Sequence, residues 1–161
     1  MRKTLALGLY LAAGIASAST YGLGSKITPF SLEDQHGKAH RVDERVRAII
    51  LSHDMEAGEI IGRALARNGK RVLEKHRAVY LADLSGMPGF LRRMFVLPKL
   101  RERSYPMLLD TSGEIARQLP SREGFVALIF LSGLRVVSVE YVKDSSALIA
   151  TLESPKRFAS Y

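Results

Sequence analysis

Three adjacent residues, Ser52, His53 and Asp54, have side chains of the types used in nucleophilic catalysis. Neighbouring side chains on a strand point to opposite faces of a sheet, whereas a catalytic triad needs its three groups to converge in space. Adjacency therefore argues against a triad and favours Asp54 as the cap of a following helix. Ser52 and His53 remain candidates for binding, or for a reaction in which His53 acts as the base.

Two carboxylates follow in the same stretch, at Glu56 and Glu59. Paired carboxylates can perform acid–base chemistry when their surroundings separate their pKa values. Near the start of a helix, however, two acids are stabilising without any chemistry, because they face the positive end of the helix dipole. We expect the second role, and we include both residues in a candidate binding loop that runs from Ser52 to Glu59.

A metal site is not expected. His36 and His40 are four residues apart, but they lie in a predicted hairpin rather than on a helix. The chain has no cysteine, and no carboxylate motif converges on the two histidines. The sequence therefore predicts neither a metal nor a cofactor.

The densest group of cations is interleaved with apolar residues and forms a second candidate binding region. It consists of Arg92, Arg93, Lys99, Arg101 and Arg103. The pattern fits a basic amphipathic helix that docks on an anionic surface or an acidic partner. It also fits an ordinary helix with one face in the core and a solvated basic face. At about 1 kcal/mol per cation near an anionic membrane, attachment by charge alone would be sensitive to salt.

The first 18 residues have the features of a secretory signal peptide. Arg2 and Lys3 are followed by an apolar run from Leu5 to Ile15 and by the small-residue exit Ala16–Ala18. The run is too short to cross a bilayer, which needs about 20 apolar residues. We therefore expect a signal peptide at 1–18, a linker at 19–26 and one domain at 27–161. The mature protein would be exported, to the periplasm where there are two membranes.

Charge and cysteine content narrow the possible functions. The chain carries a net charge of +8 and has no cysteine. Loss of Arg2 and Lys3 would leave +6 on the mature domain, which favours an anionic surface or an exported acidic protein as partner. Nucleic acid is not expected, because no aromatic residues alternate with basic ones as a stacking platform requires. Without cysteine, thiol–disulfide exchange and thiol peroxidase chemistry are excluded.

The order of predicted elements indicates an α/β fold. The elements are a hairpin over 29–42, a strand at 47–52, a helix from Asp54 that ends at Asn68-Gly69, a strand at 77–83, a helical stretch over 90–103, a short strand at 105–110, a helical turn at 114–119, a hairpin over 125–142 and a last helix to Leu152. Asp144 or Ser145 is expected to cap the last helix. Pro98 is expected to break the 90–103 stretch into two pieces. This order predicts three layers, with a mixed central sheet, helices on both faces and an N-terminal hairpin.

Two segments resemble the peroxiredoxin branch of the thioredoxin-like superfamily. Residues 30–38 (FSLEDQHGK) are similar to the opening hairpin of that branch, and residues 105–116 (YPMLLDTSGEIA) are similar to a later strand and turn. A closer resemblance, to the uncharacterised YtfJ-type family of exported bacterial proteins, rests on four short motifs in order. They are Ser52-His53, Met87–Gly89, Met94–Val96 and the stretch from Leu100 to Pro106.

The chain departs from the active members of that superfamily at two positions. Active members carry one or two cysteines at the start of the first central helix, where Glu56 and Glu59 stand here. They also carry a proline before the second-last strand, where this chain has Arg122-Glu123-Gly124. The resemblance therefore implies a soluble exported thioredoxin-like protein that has lost redox chemistry and serves as a binding or accessory module. The alternatives are a non-redox enzyme built on the Ser52–Glu59 loop, with His53 as base and Ser52 or Glu56 assisting, and a protein held at the membrane by its basic segment.

Overall fold

The computed structural model describes residues 21–154 of the chain. The predicted signal peptide and the first two residues of the predicted linker lie outside the described residues. Within 21–154, none of the helices combines the length and the apolar character needed to cross a bilayer.

Seven strands form a small hairpin and a central sheet. They are β1 (Phe30–Glu33), β2 (Ala39–Val42), β3 (Ala48–Ser52), β4 (Ala78–Asp83), β5 (Leu108–Asp110), β6 (Val126–Ser132) and β7 (Arg135–Val142). β1 and β2 pair with each other, and the other five form a sheet in the order β5-β4-β3-β6-β7. β3, β4 and β5 run parallel, whereas β6 is antiparallel to β3 and β7 is antiparallel to β6.

The helices connect these strands. They are α1 (Met55–Ala64), α2 (Gly69–His76), α3 (Gly89–Leu91), a π-helix (Arg92–Val96), α4 (Leu97–Arg101), a 3₁₀ helix (Ala116–Gln118) and α5 (Ser145–Glu153). Asp144 caps α5 by accepting a hydrogen bond of 2.7 Å from the Ala147 amide, as the sequence predicts.

The predicted end of the first helix is wrong. α1 ends at Ala64, and Asn68-Gly69 begins a second helix instead of ending the first. Gly69 is needed there for space, since a Cβ on it would lie 2.3 Å from the ring of Tyr105. The Asn-Gly pair has the composition of a helix end, but the close approach of Tyr105 explains the glycine.

The predicted break at Pro98 is also wrong. α3, the π-helix and α4 form one uninterrupted helical run over 89–101. The Leu97 amide bonds to the Arg92 carbonyl, five residues back, so the helix widens by one residue just before the proline. Pro98 then lies in the first turn of α4, where its missing N–H is tolerated.

Alternating residues of the central strands build a core on each face of the sheet. Ala48 and Ile50 pack with the side chains of α1, α2, α4 and α5. Ile49 and Leu51 pack on the other face with the hairpin, the 3₁₀ helix and Ile27. The predicted three-layer α/β fold is confirmed. Because β3, β4 and β5 are parallel, their carboxyl ends lie at one edge of the sheet, and the candidate loop follows β3 at that edge.

Candidate functional site

Ser52 ends β3 with its side chain turned into the core. Its hydroxyl lies 3.1 Å from the Tyr80 hydroxyl, and only 4% of the residue is exposed. Burial raises the pKa of Tyr80 to about 12, although the hydrogen bond from Ser52 opposes the shift. The Ser52 hydroxyl therefore joins β3 to β4 inside the protein and is not presented to a ligand beside His53.

Asp54 connects the start of α1 to the turn before β6. One carboxylate oxygen accepts a 2.8 Å hydrogen bond from the Ala57 amide, which confirms the predicted cap. The other oxygen accepts a 2.7 Å hydrogen bond from the amide of Gly124. Gly124 has a φ of +73°. Where active thioredoxin-like proteins carry a proline, this chain thus has a glycine turn tied to the cap of α1.

His53 is paired with a residue that the sequence analysis missed. Its Nδ1 lies 2.9 Å from a carboxylate oxygen of Asp83, whose side chain is 4% exposed while that of His53 is 41% exposed. The other oxygen of Asp83 accepts hydrogen bonds from the amide and the hydroxyl of Ser85, at 2.9 and 2.7 Å. The pairing leaves Nε2 of His53 as the ring nitrogen available to a ligand.

The position of Asp83 on the chain contains a usable signal for this pair. Asp83 is the last residue of β4, and β4 pairs in parallel with β3, so that Ser52 stands opposite Ala82. His53 directly follows β3 and Asp83 ends β4, so the two polar residues lie at the same end of the sheet. Sequence patterns alone did not reveal which strands are neighbours, and so the pair was not predicted.

None of the four cavities described in residues 21–154 is lined by the Ser52–Glu59 loop. Cavities of about 330 to 640 Å³ occur in the described residues, but Arg103 is the single predicted binding residue among those that line them. Glu56 and Glu59 are exposed, and Glu59 forms a long ion pair of 3.8 Å with Arg63. The loop can therefore form one side of a contact surface, and His53 lines none of these four cavities.

The five predicted cations do not form one basic face. Arg92 donates to the Leu84 carbonyl at 3.3 Å, and Arg101 donates to the Gln35 carbonyl at 3.0 Å. The Arg103 guanidinium lies beside Gly62 of α1, 3.6 Å from where a Cβ would be. Arg92 and Arg101 thus bond to neighbouring segments of the protein, whereas Arg103 forms no ion pair or side-chain hydrogen bond within residues 21–154.

Arg93 and Lys99 are the two cations within the helical run 89–101 whose side chains have no bonding partner in the described residues. Both are exposed, and within residues 21–154 neither forms an ion pair or a side-chain hydrogen bond. They are therefore available to an anionic partner, and they lie on the same helical run as four exposed apolar residues.

The exposed apolar residues of this run form what we call the apolar face. It consists of Phe90, Leu91, Met94 and Phe95, which are 60%, 36%, 66% and 57% exposed. Leu97 and Leu100, further along the run, pack against the core. Residues seven apart, such as Phe90 and Leu97, would share one face of a regular α-helix. The π-helix adds one residue, which rotates the following turn by about 100° and so separates the apolar face from the core-facing leucines.

Comparison with known proteins identifies the fold. No protein-family model matches the chain, and no curated protein sequence does. Among solved structures, peroxidoxin BcpB of Mycobacterium tuberculosis matches with a TM-score of 0.55 at 20% identity, over 87% of this chain and 99% of that one. The thioredoxin domain of a thiol-disulfide oxidoreductase of Bacteroides vulgatus matches with a TM-score of 0.52 at 10% identity, over 83% and 99% of the two chains.

A third solved structure that matches is StoA of Bacillus subtilis, with a TM-score of 0.52 at 12% identity over 78% of this chain and 97% of that one. These similarities show that the chain has the thioredoxin-like fold. The resemblance to the YtfJ-type family remains a prediction.

Proposed function

We propose that this chain is an exported, non-redox protein of the thioredoxin-like superfamily that works as a binding module. Its contact surface is the apolar face, flanked by Arg93 and Lys99. The observation that carries the proposal is the exposure of four large apolar side chains on one short helical run. Membership of the YtfJ-type family and export through residues 1–18 are parts of the same proposal.

The composition of the apolar face is that of a protein interface. Contiguous exposed apolar side chains are uncommon on proteins that work alone, and aromatic residues, methionine and arginine are enriched where proteins meet. Arg93 and Lys99 add two unpaired positive charges beside this face. A partner with an apolar groove rimmed by acidic residues would complement both features.

The Ser52–Glu59 loop is better suited to binding than to catalysis. The chain has no cysteine, so no thiolate can form at the start of α1. The Ser52 hydroxyl is buried against Tyr80, and both oxygens of Asp54 accept backbone hydrogen bonds. The loop residues thus contribute mainly to the fold, which leaves the adjoining apolar face as the surface with no structural task.

The proposal is tested by cross-linking pull-down from the exported fraction at physiological salt. We expect one protein to be captured repeatedly by the wild-type chain. Capture should be lost with Phe90→Ser/Phe95→Ser, which removes apolar contact, and with Arg93→Glu/Lys99→Glu, which reverses the two free charges. Each pair leaves the fold intact, because exposed substitutions change stability by roughly 0.5 kcal/mol or less.

Leu23→Ser is the matched control. Leu23 is 74% exposed and lies outside the apolar face, so its loss should leave capture unchanged. Capture that survives both paired variants, or that Leu23→Ser abolishes equally, would show that the apolar face is not the contact surface.

Peripheral membrane attachment is a second candidate, favoured by the same apolar side chains next to basic ones. Two free cations at about 1 kcal/mol each give weak attraction to an anionic bilayer. We therefore expect little cosedimentation with either anionic or neutral vesicles at physiological salt. Sedimentation with anionic vesicles alone, lost with Phe90→Ser/Phe95→Ser, would transfer the function to the membrane.

A non-redox enzyme is a third candidate, and the His53–Asp83 pair is the observation in its favour. Such a pair orients an imidazole for general-base chemistry. Hydrolysis of an ester or phosphoester substrate that disappears in His53→Ala and persists in His36→Ala would support it. We expect no such turnover, because His53 lines none of the four cavities described in the protein.

A further inference from the structure

A cleft of about 570 Å³ lies between the β1–β2 hairpin and α2, and Arg103 is the one predicted binding residue that lines it. Its volume is within the range of ligand sites, roughly 300 to 1,000 Å³. We infer that this cleft, which we call the cation cleft, binds a small organic anion that carries phosphate or carboxylate groups. The inference does not depend on the function proposed for the apolar face, which lies outside the cation cleft.

The walls of the cation cleft carry unpaired positive charge. Four cations from separate parts of the chain line the cation cleft: Lys38, Lys70, Arg77 and Arg103. In the part of the chain that the structure describes, none of them forms an ion pair with a carboxylate. Two carboxylates, Asp34 and Glu74, also line the cation cleft, so the four cations outnumber them by two. This excess of positive charge raises the local concentration of anions.

The buried carboxylate in the wall, Asp34, is bonded within the hairpin and to none of the four cationic side chains. Asp34 accepts hydrogen bonds from the amides of His36 and Lys38, at 2.8 and 3.0 Å, and lies 2.7 Å from Nε2 of His40. Burial alone would raise the pKa of Asp34, but the His40 ring and the two amides outweigh it and lower the pKa. Its charge is thus used to shape the hairpin turn that carries Lys38.

The same turn is fixed to the body of the protein by Gln35, which is 2% exposed. The Gln35 side chain donates to the Tyr105 carbonyl at 2.8 Å and accepts from the Met107 amide at 2.9 Å. Arg101 also donates to the Gln35 carbonyl at 3.0 Å. A wall held by this many bonds loses little conformational freedom on binding, which favours affinity.

The opposite wall contains a residue in an unusual conformation. Arg77 follows the last turn of α2 with a φ of 47°, in the left-handed region that glycine normally occupies at a helix end. An arginine there is conformationally unfavourable, and such residues cluster at binding sites. The position gives the cation cleft a long cationic side chain where a glycine would suit the backbone better.

The floor of the cation cleft is apolar. Leu73, Tyr105, Pro106 and Leu108 lie between the charged walls. Apolar lining with a few convergent polar groups is the usual composition of a small-molecule site. The ligand would therefore place its anionic groups on the cations and its organic part on this floor.

Calorimetry with two probes tests the inference on the purified protein. Inorganic pyrophosphate presents phosphate groups and citrate presents carboxylates. We expect saturable binding of at least one probe at physiological ionic strength, and the preferred probe identifies the anionic group. Arg77→Gly should weaken that binding about tenfold by removing one charge-assisted contact. It should also raise the unfolding temperature, because glycine accepts the left-handed backbone.

Arg67→Gly is the matched control, since it removes the same charge from an exposed residue that does not line the cation cleft. Its binding should stay within about twofold of wild type. Lys38→Ala/Lys70→Ala provides a second test on two exposed side chains should Arg77→Gly fail to fold. No saturable binding of either probe would overturn the inference, as would equal weakening by Arg67→Gly.

Discussion

At the scale of single residues, Asp54 has two structural tasks. It caps α1 and also accepts the hydrogen bond from the Gly124 amide. Asp144 caps α5 in the same way, but it is exposed and accepts no second hydrogen bond from a distant residue of the described chain. The two aspartates therefore allow the cost of the extra hydrogen bond to be measured in one protein.

We predict that Asp54→Ala destabilises the fold more than Asp144→Ala does. Loss of a cap costs about 1 kcal/mol. Asp54→Ala should cost about 1 kcal/mol more, since it also leaves the buried Gly124 amide without its acceptor. Chemical denaturation of both variants measures the difference, and equal losses would contradict a stabilising role for the contact between Asp54 and Gly124.

His53 and His40 are held by their carboxylates through different ring nitrogens. His53 uses Nδ1 toward Asp83, whereas His40 uses Nε2 toward Asp34. We predict that neutral His53 carries its proton on Nδ1 and neutral His40 carries it on Nε2, because a proton on the nitrogen that faces the carboxylate makes each contact attractive. Nitrogen chemical shifts at alkaline pH distinguish the two forms. The same tautomer at both positions would be inconsistent with these contacts.

The buried hydroxyl of Tyr80 makes stability depend on pH in the alkaline range. Burial raises its pKa to about 12, whereas an unfolded chain ionises tyrosine near 10. Above pH 10 the unfolded state loses the proton first, so the free energy of unfolding should fall as the pH rises from about 10 to 12, by roughly 2 to 3 kcal/mol. Tyr80→Phe should flatten this part of the profile, which chemical denaturation of both proteins between about pH 9 and 12 measures.

At the scale of elements, the contact between α2 and Tyr105 requires a glycine at position 69. A Cβ at Gly69 would lie 2.3 Å from the Tyr105 ring, whereas one at Gly58 of α1 would meet the Tyr80 hydroxyl at an ordinary 3.8 Å. Gly69 is therefore required because a side chain would not fit, whereas Gly58 has room for one.

We predict opposite effects for alanine at these two positions. Gly69→Ala should destabilise the protein by about 2 kcal/mol, because the ring of a buried tyrosine must move. Gly58→Ala should stabilise it by about 0.5 to 1 kcal/mol through higher helix propensity. Thermal unfolding of the two variants is the measurement. A tolerated Gly69→Ala would mean that Tyr105 is not packed where the structure places it.

The elements also show what local sequence can reveal. The apolar runs that became β3, β4 and β6, and the caps Asp54 and Asp144, were predicted because each depends on neighbours in the chain. The start of α2 was missed because Asn68-Gly69 has the composition of a helix end, although Tyr105 is what requires the glycine. The π-helix was missed because it depends on how Pro98 is accommodated within a packed helix. Asp83 was not predicted as part of the candidate site for a similar reason. Its pairing with His53 can be predicted only when it is known that β3 and β4 are adjacent.

At the scale of the whole molecule, two surfaces with different chemistry lie on one thioredoxin-like domain. The apolar face follows β4 at the carboxyl edge of the parallel strands, whereas the cation cleft lies between the hairpin, α2 and the start of β5. The sequence pointed to the first through the basic segment. It did not indicate the second, because the four cations of the cation cleft are scattered from Lys38 to Arg103.

Export is a whole-molecule property, and we predict that it depends on the small-residue exit at Ala16–Ala18. Ala18→Arg should prevent cleavage, because signal peptidase requires a small residue there. Mass spectrometry of the exported fraction should find a mature chain that begins near Ser19 for wild type and none for the variant. Accumulation of the full-length wild-type chain in the cytoplasm would contradict the prediction.

The order of the strands also fixes when the domain can assemble during synthesis. β3 lies at the centre of the sheet between β4 and β6, and its partner Phe130 follows Ala48 much later in the chain. At about 5 to 20 residues per second, a ribosome takes several seconds to make the intervening segment. Throughout that interval one hydrogen-bonding edge of β3 (Ala48–Ser52) has no partner strand. A nascent chain of this topology stays unfolded long enough for a chaperone or a translocation factor to engage it before the core closes.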